Sequence, residues 1–459
     1  MRLMKTILQM TDYEIMHKIQ SNELKISVIG IGRIGLPTAL SFAKSGLPTT
    51  GIDINKKLVD MINSGDFPLN DEPGYDTIFN QVIREKKFSS TTSFSEGVNS
   101  SDVIVLSLPT PMNEKNIPDY SALLSVAKKL NEEMNDGKLI IIESTVEPGF
   151  VENEFLKIIE GTNKKIGKNF LLGVCPETAN PGQILNDFEK LPRLVAGIDE
   201  KTRNLIMKIY KHVFTVDLIP MPNCKTANAV KLTTNVFRDL NIAFVNELAL
   251  IFEKAGIDIM TVLEAAKTKY NFQVHYPSSG VGGPCLPVNS YQMINFAKNF
   301  TSQTFTLVEN GRSINESMPY HTVELLEDAL NEIQKPLSNS TILILGASYK
   351  PDVKDLQISP TEKILEILKE KGAKILIYDP YFKNSNVFGL KTLSNYVDYL
   401  ENCDGMIIAT AHKEFHNIEP EFLKQKMKTP VVVDSKNIID QYLAKKIGII
   451  YRGIGRGKI

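Results

Sequence analysis

One of the four cysteines in the chain stands in a setting made for close contact: Gly280-Val281-Gly282-Gly283-Pro284-Cys285-Leu286-Pro287-Val288-Asn289. Three glycines in four positions remove the side chains that keep a ligand off the backbone and open backbone angles closed to other residues. A thiol is the most nucleophilic of the common side chains at neutral pH and suits attack on a carbonyl carbon. A free cysteine beside a tight turn is more often a small buried hydrophobe. The reading of Cys285 as a covalent nucleophile therefore depends on what else the chain carries.

It carries a hydride-acceptor site. Lys25 to Ile29 is a short β-type run leading into Gly30-Ile31-Gly32-Arg33-Ile34-Gly35, then a helical pattern through Lys44 and a second strand ending at Asp53. Strand, glycine turn, helix, strand and acid is the full setting of a dinucleotide fingerprint. The glycines let a pyrophosphate approach the helix N-terminus, where unpaired amides favour negative charge. Asp53, about 20 residues on, can accept from a ribose 2′-hydroxyl and repel a 2′-phosphate, which favours NAD over NADP. A thiol beside a hydride acceptor suggests aldehyde oxidation through a thioester.

The elements that must position these groups follow in order. Thr11 and Glu14 make a capping-box pattern, with Ile15 and Ile19 one turn apart, so residues 1 to 24 read as an added packing helix. Strands are expected at Asp102–Leu106, Leu139–Ile142 and Phe170–Val174, separated by helices, as in a doubly wound parallel sheet. The turns after two of these carry Thr110 and Thr145, and ligands of such sheets sit at carboxyl ends of strands. Between Pro222 and Gly256 there is neither Gly nor Pro, which predicts one helix of roughly 45–50 Å. Lys231, Asn235 and Arg238 share one of its faces, and the remaining faces are so apolar that much of the helix is expected to be buried. A buried lysine and arginine need partners, for which a bound anion would serve. After a helical stretch from about Gln303 to Ile333 a second α/β pattern begins: Thr341–Leu345, a helix at Thr361–Lys371, Lys374–Tyr378, Met406–Ala409 and Val431–Asp434. The expected fold is thus two Rossmann-like doubly wound α/β domains joined by a long central helix: 1–24 an extension, 25–222 cofactor-binding, 223–333 central, 334–459 substrate-binding.

With 459 residues, 52 basic and 53 acidic, the chain carries a net charge of -1, which gives no bulk attraction to nucleic acid or to an anionic membrane. Cys175, Cys224, Cys285 and Cys403 fit neither a disulfide framework nor a metal-site spacing. No metal is expected, and the expected compartment is the cytoplasm. No apolar run approaches the roughly 20 residues of a membrane span, and the first residues lack a signal peptide's apolar core.

From Lys25 to the end, these motifs together resemble the UDP-glucose/GDP-mannose dehydrogenase family, which oxidises the C6 hydroxyl of a nucleotide sugar to a carboxylate with two NAD. The resemblance rests on the fingerprint, Thr110-Pro111, Ser144-Thr145-Val146 with Pro148-Gly149, Pro176-Glu177, Lys231 with Asn235, the Cys285 loop, and Leu345-Gly346 to Pro351. Lys231-Leu232-Thr233, Phe237-Arg238-Asp239, Asn241 to Phe244, the Asn180-Pro181-Gly182 turn and Asp434-Ser435-Lys436 are similar to its amino-sugar branch. The glucose branch would carry a second acid near Pro181.

The resemblance implies that Cys285 is the nucleophile, Lys231 the acid/base and oxyanion-stabilising group, and Glu177 the group that orients or activates water, with Asn235, Asn289 and Thr145 completing the catalytic set. It implies that Gly30, Gly32, Arg33, Ile34, Gly35, Asp53, Thr110, Thr145 and Gln357 lie at cofactor positions. Glu177, Thr178, Lys231, Asn235, Arg238, Gly282, Tyr349, Lys350 and Lys436 are implied around the UDP-sugar, and a homodimer through the central helix is the implied assembly. Three positions depart from the family pattern: Asn289 replaces a common Asp, Gln357 a common Arg, and Thr178 the Arg of the amino-sugar branch. Two other readings stay open, a β-hydroxyacid dehydrogenase, which needs no nucleophilic cysteine, and a nucleotide-sugar-binding regulator without turnover. Within the family, UDP-N-acetyl-glucosamine and UDP-glucose remain alternatives to UDP-N-acetyl-mannosamine.

Overall fold

The computed structural model describes residues 5–301 and 305–456. The chain divides into two compact units, Met1–Thr234 with Tyr291–Asn299, and Asn235–Ser290 with Phe300–Ile459.

In the first unit the capping box forms as expected. Thr11 accepts from the Glu14 amide while the Glu14 carboxylate accepts from the Thr11 amide, opening a helix over Asp12–Gln20 whose Ile15 and Ile19 are buried. Both residues join the apolar core beside the sheet, so the extension is part of this unit. Eight strands follow: β1 Ile26–Ile29, β2 Thr49–Ile52, β3 Phe88–Thr91, β4 Val103–Leu106, β5 Lys138–Ile142, β6 Phe170–Val174, β7 Arg193–Gly197 and β8 Leu218–Pro220. They lie in the order β3-β2-β1-β4-β5-β6-β7-β8. The first six make the 3-2-1-4-5-6 order whose switch point, between β1 and β4, opens a ligand crevice at the carboxyl ends. The expectation of a parallel sheet is corrected at one place, because β6 and β7 pair antiparallel. Strands β3, β7 and β8 lie outside the sequence reading. The segment Tyr291–Asn299 completes this unit, with Gln292 Nε2 donating to the Thr145 carbonyl at 3.2 Å and Asn295 Nδ2 to the Asn116 carbonyl at 2.9 Å.

The long helix runs Cys224–Ala255, 32 residues, as the absence of Gly and Pro requires. Its predicted burial is corrected: Arg238 is exposed, and Phe237, Phe244 and Ile251 are 52 %, 50 % and 56 % exposed. These three repeat every seven residues and so form one apolar stripe.

The second unit has a parallel sheet in the order β10-β9-β13-β14-β15. Its strands are β9 Thr341–Leu345, β10 Lys374–Tyr378, β13 Gly405–Ile408, β14 Val431–Asp434 and β15 Ile450–Gly453, with a two-stranded hairpin of β11 Asn386–Val387 and β12 Leu390–Lys391 between. The helix before this sheet runs Thr306–Asn331, and Gln303, where the sequence reading begins it, lies outside the described residues. Among the described residues no helix is long and apolar enough to cross a membrane.

Candidate active site

At the glycine turn of the first unit, the three glycines answer to different needs. A Cβ on Gly35 would lie 1.8 Å from the Gly30 carbonyl oxygen, and one on Gly30 would lie 2.5 Å from the Ser107 carbonyl oxygen. These two are glycine because the turn packs on itself and on the end of β4. A Cβ on Gly32 meets no protein atom within 4 Å, so the fold does not require glycine there, and the turn is open to a ligand lying against it. Asp53 holds the turn from β2, its carboxylate accepting from the Ile31 amide at 3.0 Å and the Asn55 amide at 2.9 Å, with lone pairs to spare for a ribose hydroxyl. Ile34 caps the following helix, Gly35–Lys44. Beyond β4 and β5, the Thr110 hydroxyl donates to the Thr145 carbonyl at 2.9 Å. The two threonines expected near a cofactor are thus joined at the carboxyl ends of neighbouring strands. These features fit a dinucleotide. Arg33 is differently engaged: its Nη1 lies 2.9 Å from Asp71 and 3.2 Å from Glu72, so its charge is balanced within the protein. Glu72 also accepts from the Gly182 amide at 2.7 Å and, through Arg33, ties the Asn180-Pro181-Gly182 turn to the glycine turn.

Glu177 follows β6 and is buried. Its Oε1 accepts from the amides of Thr178 and Ala179 at 2.6 and 2.7 Å, and its Oε2 lies 3.0 Å from Arg193 Nη1. Thr178 thus contributes its amide to the carboxylate. Lys231 is buried on the long helix. Among the described residues no carboxylate lies within ion-pair distance of it, so its amino group is left for a ligand oxygen.

In the second unit Cys285 is exposed, while Cys175, Cys224 and Cys403 are buried. Burial pushes the Cys175 and Cys224 thiols well up, and that of Cys403 to about 12. Cys285 stands on a turn, as the glycines before it predict. It also heads a helix, Leu286–Ala297, whose first turn closes with the Asn289 amide donating to the Cys285 carbonyl at 2.8 Å. The amino end of a helix favours negative charge.

The glycines also admit a close neighbour from the chain itself. A Cβ on Gly282 would lie 2.3 Å from the Ile358 carbonyl oxygen, and one on Gly283 would lie 2.5 Å from the Tyr349 ring. The Gly283 amide donates to the Gln357 carbonyl at 2.9 Å. The close neighbour is therefore the chain's own segment after β9, which moulds the cysteine loop. The Gln357 side chain, at a position the family resemblance gives to the cofactor, donates to Asp355 at 3.2 Å.

The cysteine helix is anchored by two residues of the expected catalytic set, Asn235 and Asn289, and by four with no expected role, Asp239, Ser290, Arg312 and Asn315. Asn235 Nδ2 donates to Asn289 Oδ1. One turn along the long helix, the buried Asp239 accepts from the Ser290 hydroxyl at 2.7 Å, from Arg312 Nη1 at 2.9 Å and from Asn315 Nδ2 at 2.8 Å. The i,i+4 spacing of Asn235 and Asp239 was the available signal.

Tyr349 and Lys350 follow β9, and Lys436 follows β14, so all three stand at carboxyl ends of the second sheet. Burial lowers Lys436 to about 8 against the opposing pull of Asp434. The Thr410 hydroxyl, after β13, donates to the Ser348 carbonyl at 2.6 Å and joins these loops.

Three domain descriptions of one family match the chain: UDP-glucose/GDP-mannose dehydrogenase family NAD binding domain over residues 24–214, central domain over 225–317 and UDP binding domain over 343–441. Among similar proteins is a Pyrococcus horikoshii UDP-N-acetyl-D-mannosamine dehydrogenase, 34 % identical over 95 % of this chain and 100 % of the relative. The structure of UDP-D-ManNAc dehydrogenase from that organism matches with a TM-score of 0.88 at 34 % identity, covering 95 % of this chain and 100 % of the other. An NDP-N-acetyl-D-galactosaminuronic acid dehydrogenase from Methanosarcina mazei matches with a TM-score of 0.82 at 28 % identity, covering 96 % and 98 %.

Proposed function

The chain belongs to the UDP-glucose/GDP-mannose dehydrogenase family of NAD-dependent oxidoreductases, and from that premise we propose a four-electron oxidation at C6 of a UDP-N-acetyl-hexosamine, UDP-N-acetyl-D-mannosamine foremost, to the uronic acid. The observation that carries the covalent part is Cys285, the exposed cysteine at the head of a helix, with the other three buried. Gly30, Gly32, Ile34, Gly35, Asp53, Thr110 and Thr145 would hold NAD, which would supply the hydride acceptor for each oxidation.

Lys231 receives the C6 hydroxyl proton and stabilises the oxyanion that forms on that oxygen. Cys285 adds to the C6 aldehyde and carries the sugar as a thiohemiacetal and then, after the second oxidation, as a thioester. Asn235 orients this chemistry through Asn289. Glu177 takes a proton from the water that cleaves the thioester, releasing the uronate and restoring the thiol. Tyr349, Lys350, Lys436, Gly282 and Arg238 hold the sugar and diphosphate. The choice of a 2-acetamido sugar is supported by the branch motifs and by the names of the similar proteins. A site that hydrogen-bonds an amide leaves polar groups unpaired when the amide is missing, which costs about 1–3 kcal/mol per group.

The test is a panel of UDP-N-acetyl-D-mannosamine, UDP-N-acetyl-D-glucosamine and UDP-glucose read by NADH absorbance, with Cys285→Ser beside the wild type. Two NADH per mannosamine substrate, a clear preference for the acetamido sugars and a block of the second oxidation in Cys285→Ser are expected. Equal kcat/KM for all three sugars would refute the substrate reading. Full uronate release by Cys285→Ser at the wild-type rate would refute the covalent one.

A further inference from the structure

Three buried residues with no expected role, Arg193, Glu143 and Tyr210, surround Glu177 or its partner. Arg193 opens β7 with its guanidinium carbon 3.8 Å from the Phe214 ring centre and 4.4 Å from that of Phe188, so its position is set by aromatic packing. Its Nη1 lies 3.0 Å from Glu177 Oε2 and 3.5 Å from Glu143 Oε1. Glu143 is fixed in turn by the hydroxyls of Tyr210 at 2.7 Å and Thr38 at 3.1 Å. Arg193 Nη2 is buried without a hydrogen-bond partner in the protein, and Glu177 Oε2 is buried with none beyond its ion pair to Nη1. Such groups are costly to leave unpaired, and an acceptor and a donor left over on the two halves of one ion pair together suit a water molecule.

We propose that Arg193 and Glu143 are positioning residues for thioester cleavage: Arg193 fixes Glu177 and the attacking water, and Glu143 shares the guanidinium charge so that Glu177 can take the water's proton. The inference rests on the reading of Cys285 as acyl carrier and Glu177 as base. In the step, the water oxygen bonds to the thioester carbon and one proton passes to Glu177. The carbon–sulfur bond breaks with its electron pair going to Cys285, and the product acid gives its own proton to solvent.

The charge argument is direct. One guanidinium against one carboxylate is neutral and opposes protonation of that carboxylate. Against two carboxylates the trio carries one net negative charge, which a proton arriving on Glu177 neutralises. The sharing depends on Glu143 being ionised, and burial pushes Glu143 up to about 7. The other titratable groups facing the trio, Tyr75, Cys175 and Tyr210, are all pushed up by burial and stay neutral there.

The experiment follows intact mass and pre-steady-state NADH with UDP-N-acetyl-D-mannosamine and NAD for wild type, Glu177→Gln, Glu143→Gln, Arg193→Lys and Tyr210→Phe. Glu143→Gln and Arg193→Lys should give a burst of two NADH per Cys285, then hydrolysis slowed about tenfold or more, within the range of a lost acid–base contribution, with a covalent sugar adduct on Cys285. Tyr210→Phe removes one oxygen and keeps the ring, which guards against a variant that fails to fold. Losing a donor that favours ionised Glu143, it should hydrolyse slowly at pH 7 and recover as the pH rises. If Glu177→Gln accumulates adduct while Tyr210→Phe and the folded Glu143→Gln keep the wild-type pH profile without adduct, the positioning inference falls and the underlying reading stands. Absence of adduct in Glu177→Gln would overturn both.

Discussion

Replacing Asp239 with Asn isolates what anchors the cysteine helix. The Asp239 carboxylate is buried and accepts from Arg312, Asn315 and Ser290. An amide in its place removes the charge and turns a donor toward at least one of these donors. Breaking a buried ion pair from one side costs about 3–5 kcal/mol. Arg312 keeps a second pairing, Nη2 to the half-exposed Glu316 at 3.0 Å, which places the loss at the lower end, about 3 kcal/mol, or about two powers of ten in the unfolding equilibrium. Urea unfolding of Asp239→Asn against wild type measures it. Asp239→Leu with Arg312→Met should recover about half, because the orphaned charge is gone and only the Ser290 and Asn315 groups lose an acceptor. The second assay is labelling by a thiol reagent under native conditions, which reads Cys285 because the other three thiols are buried. Wild type should take up one equivalent, and Asp239→Asn should label Cys285 at a changed rate. A stability loss below about 1 kcal/mol with unchanged labelling would refute the anchoring argument.

Gly35→Ala should fail to fold stably, because its Cβ meets the Gly30 carbonyl at 1.8 Å, whereas Gly32→Ala should keep its melting temperature and lose NAD affinity; loss of stability in both or in neither would refute the division of roles. Lys436, depressed from 10.5 to about 8, makes the ligand-free protein less stable below pH 8 and releases that penalty, about 3 kcal/mol at most, as the pH rises from 8 toward 10.5. Because a diphosphate favours the ammonium, UDP binding near pH 9 should take up a proton, seen by calorimetry in buffers of different ionisation heat; no uptake would remove Lys436 from the diphosphate site. Phe244→Glu, in the middle of the exposed stripe on the long helix, should turn a dimer into a monomer by light scattering, and an unchanged mass would refute dimerisation through that helix.

The sequence makes the first unit's entry legible because each device there is local: a capping box, a glycine turn and an acid at fixed spacing. Strand β7 escapes because Arg193 reads as a surface residue until Phe188 and Phe214 enclose it, and β3, Phe-Ser-Ser-Thr, because its apolar pattern is thin. The start of the cysteine helix is hidden by Pro284 and Pro287, which suggest a turn although proline is tolerated in a helix's first turn. The anchoring of Ser290 by Asp239 and Arg312 joins residues 51 and 73 positions from Asp239, a separation no local pattern reveals. Glycines 282 and 283 are legible as a close approach, but not what approaches, since Tyr349 and Ile358 lie far along the chain.

The segment Tyr291–Asn299, which belongs to the first unit although more than fifty residues of the second precede it, sets an order for biosynthesis. A nascent chain exposing residues 1–234 can form the eight-stranded sheet, yet the Thr145 and Asn116 carbonyls still lack Gln292 and Asn295. Folding of that unit is therefore finished only after the cysteine loop has been synthesised. A fragment ending at residue 234 leaves the loops after β4 and β5 less constrained than they are in the full chain.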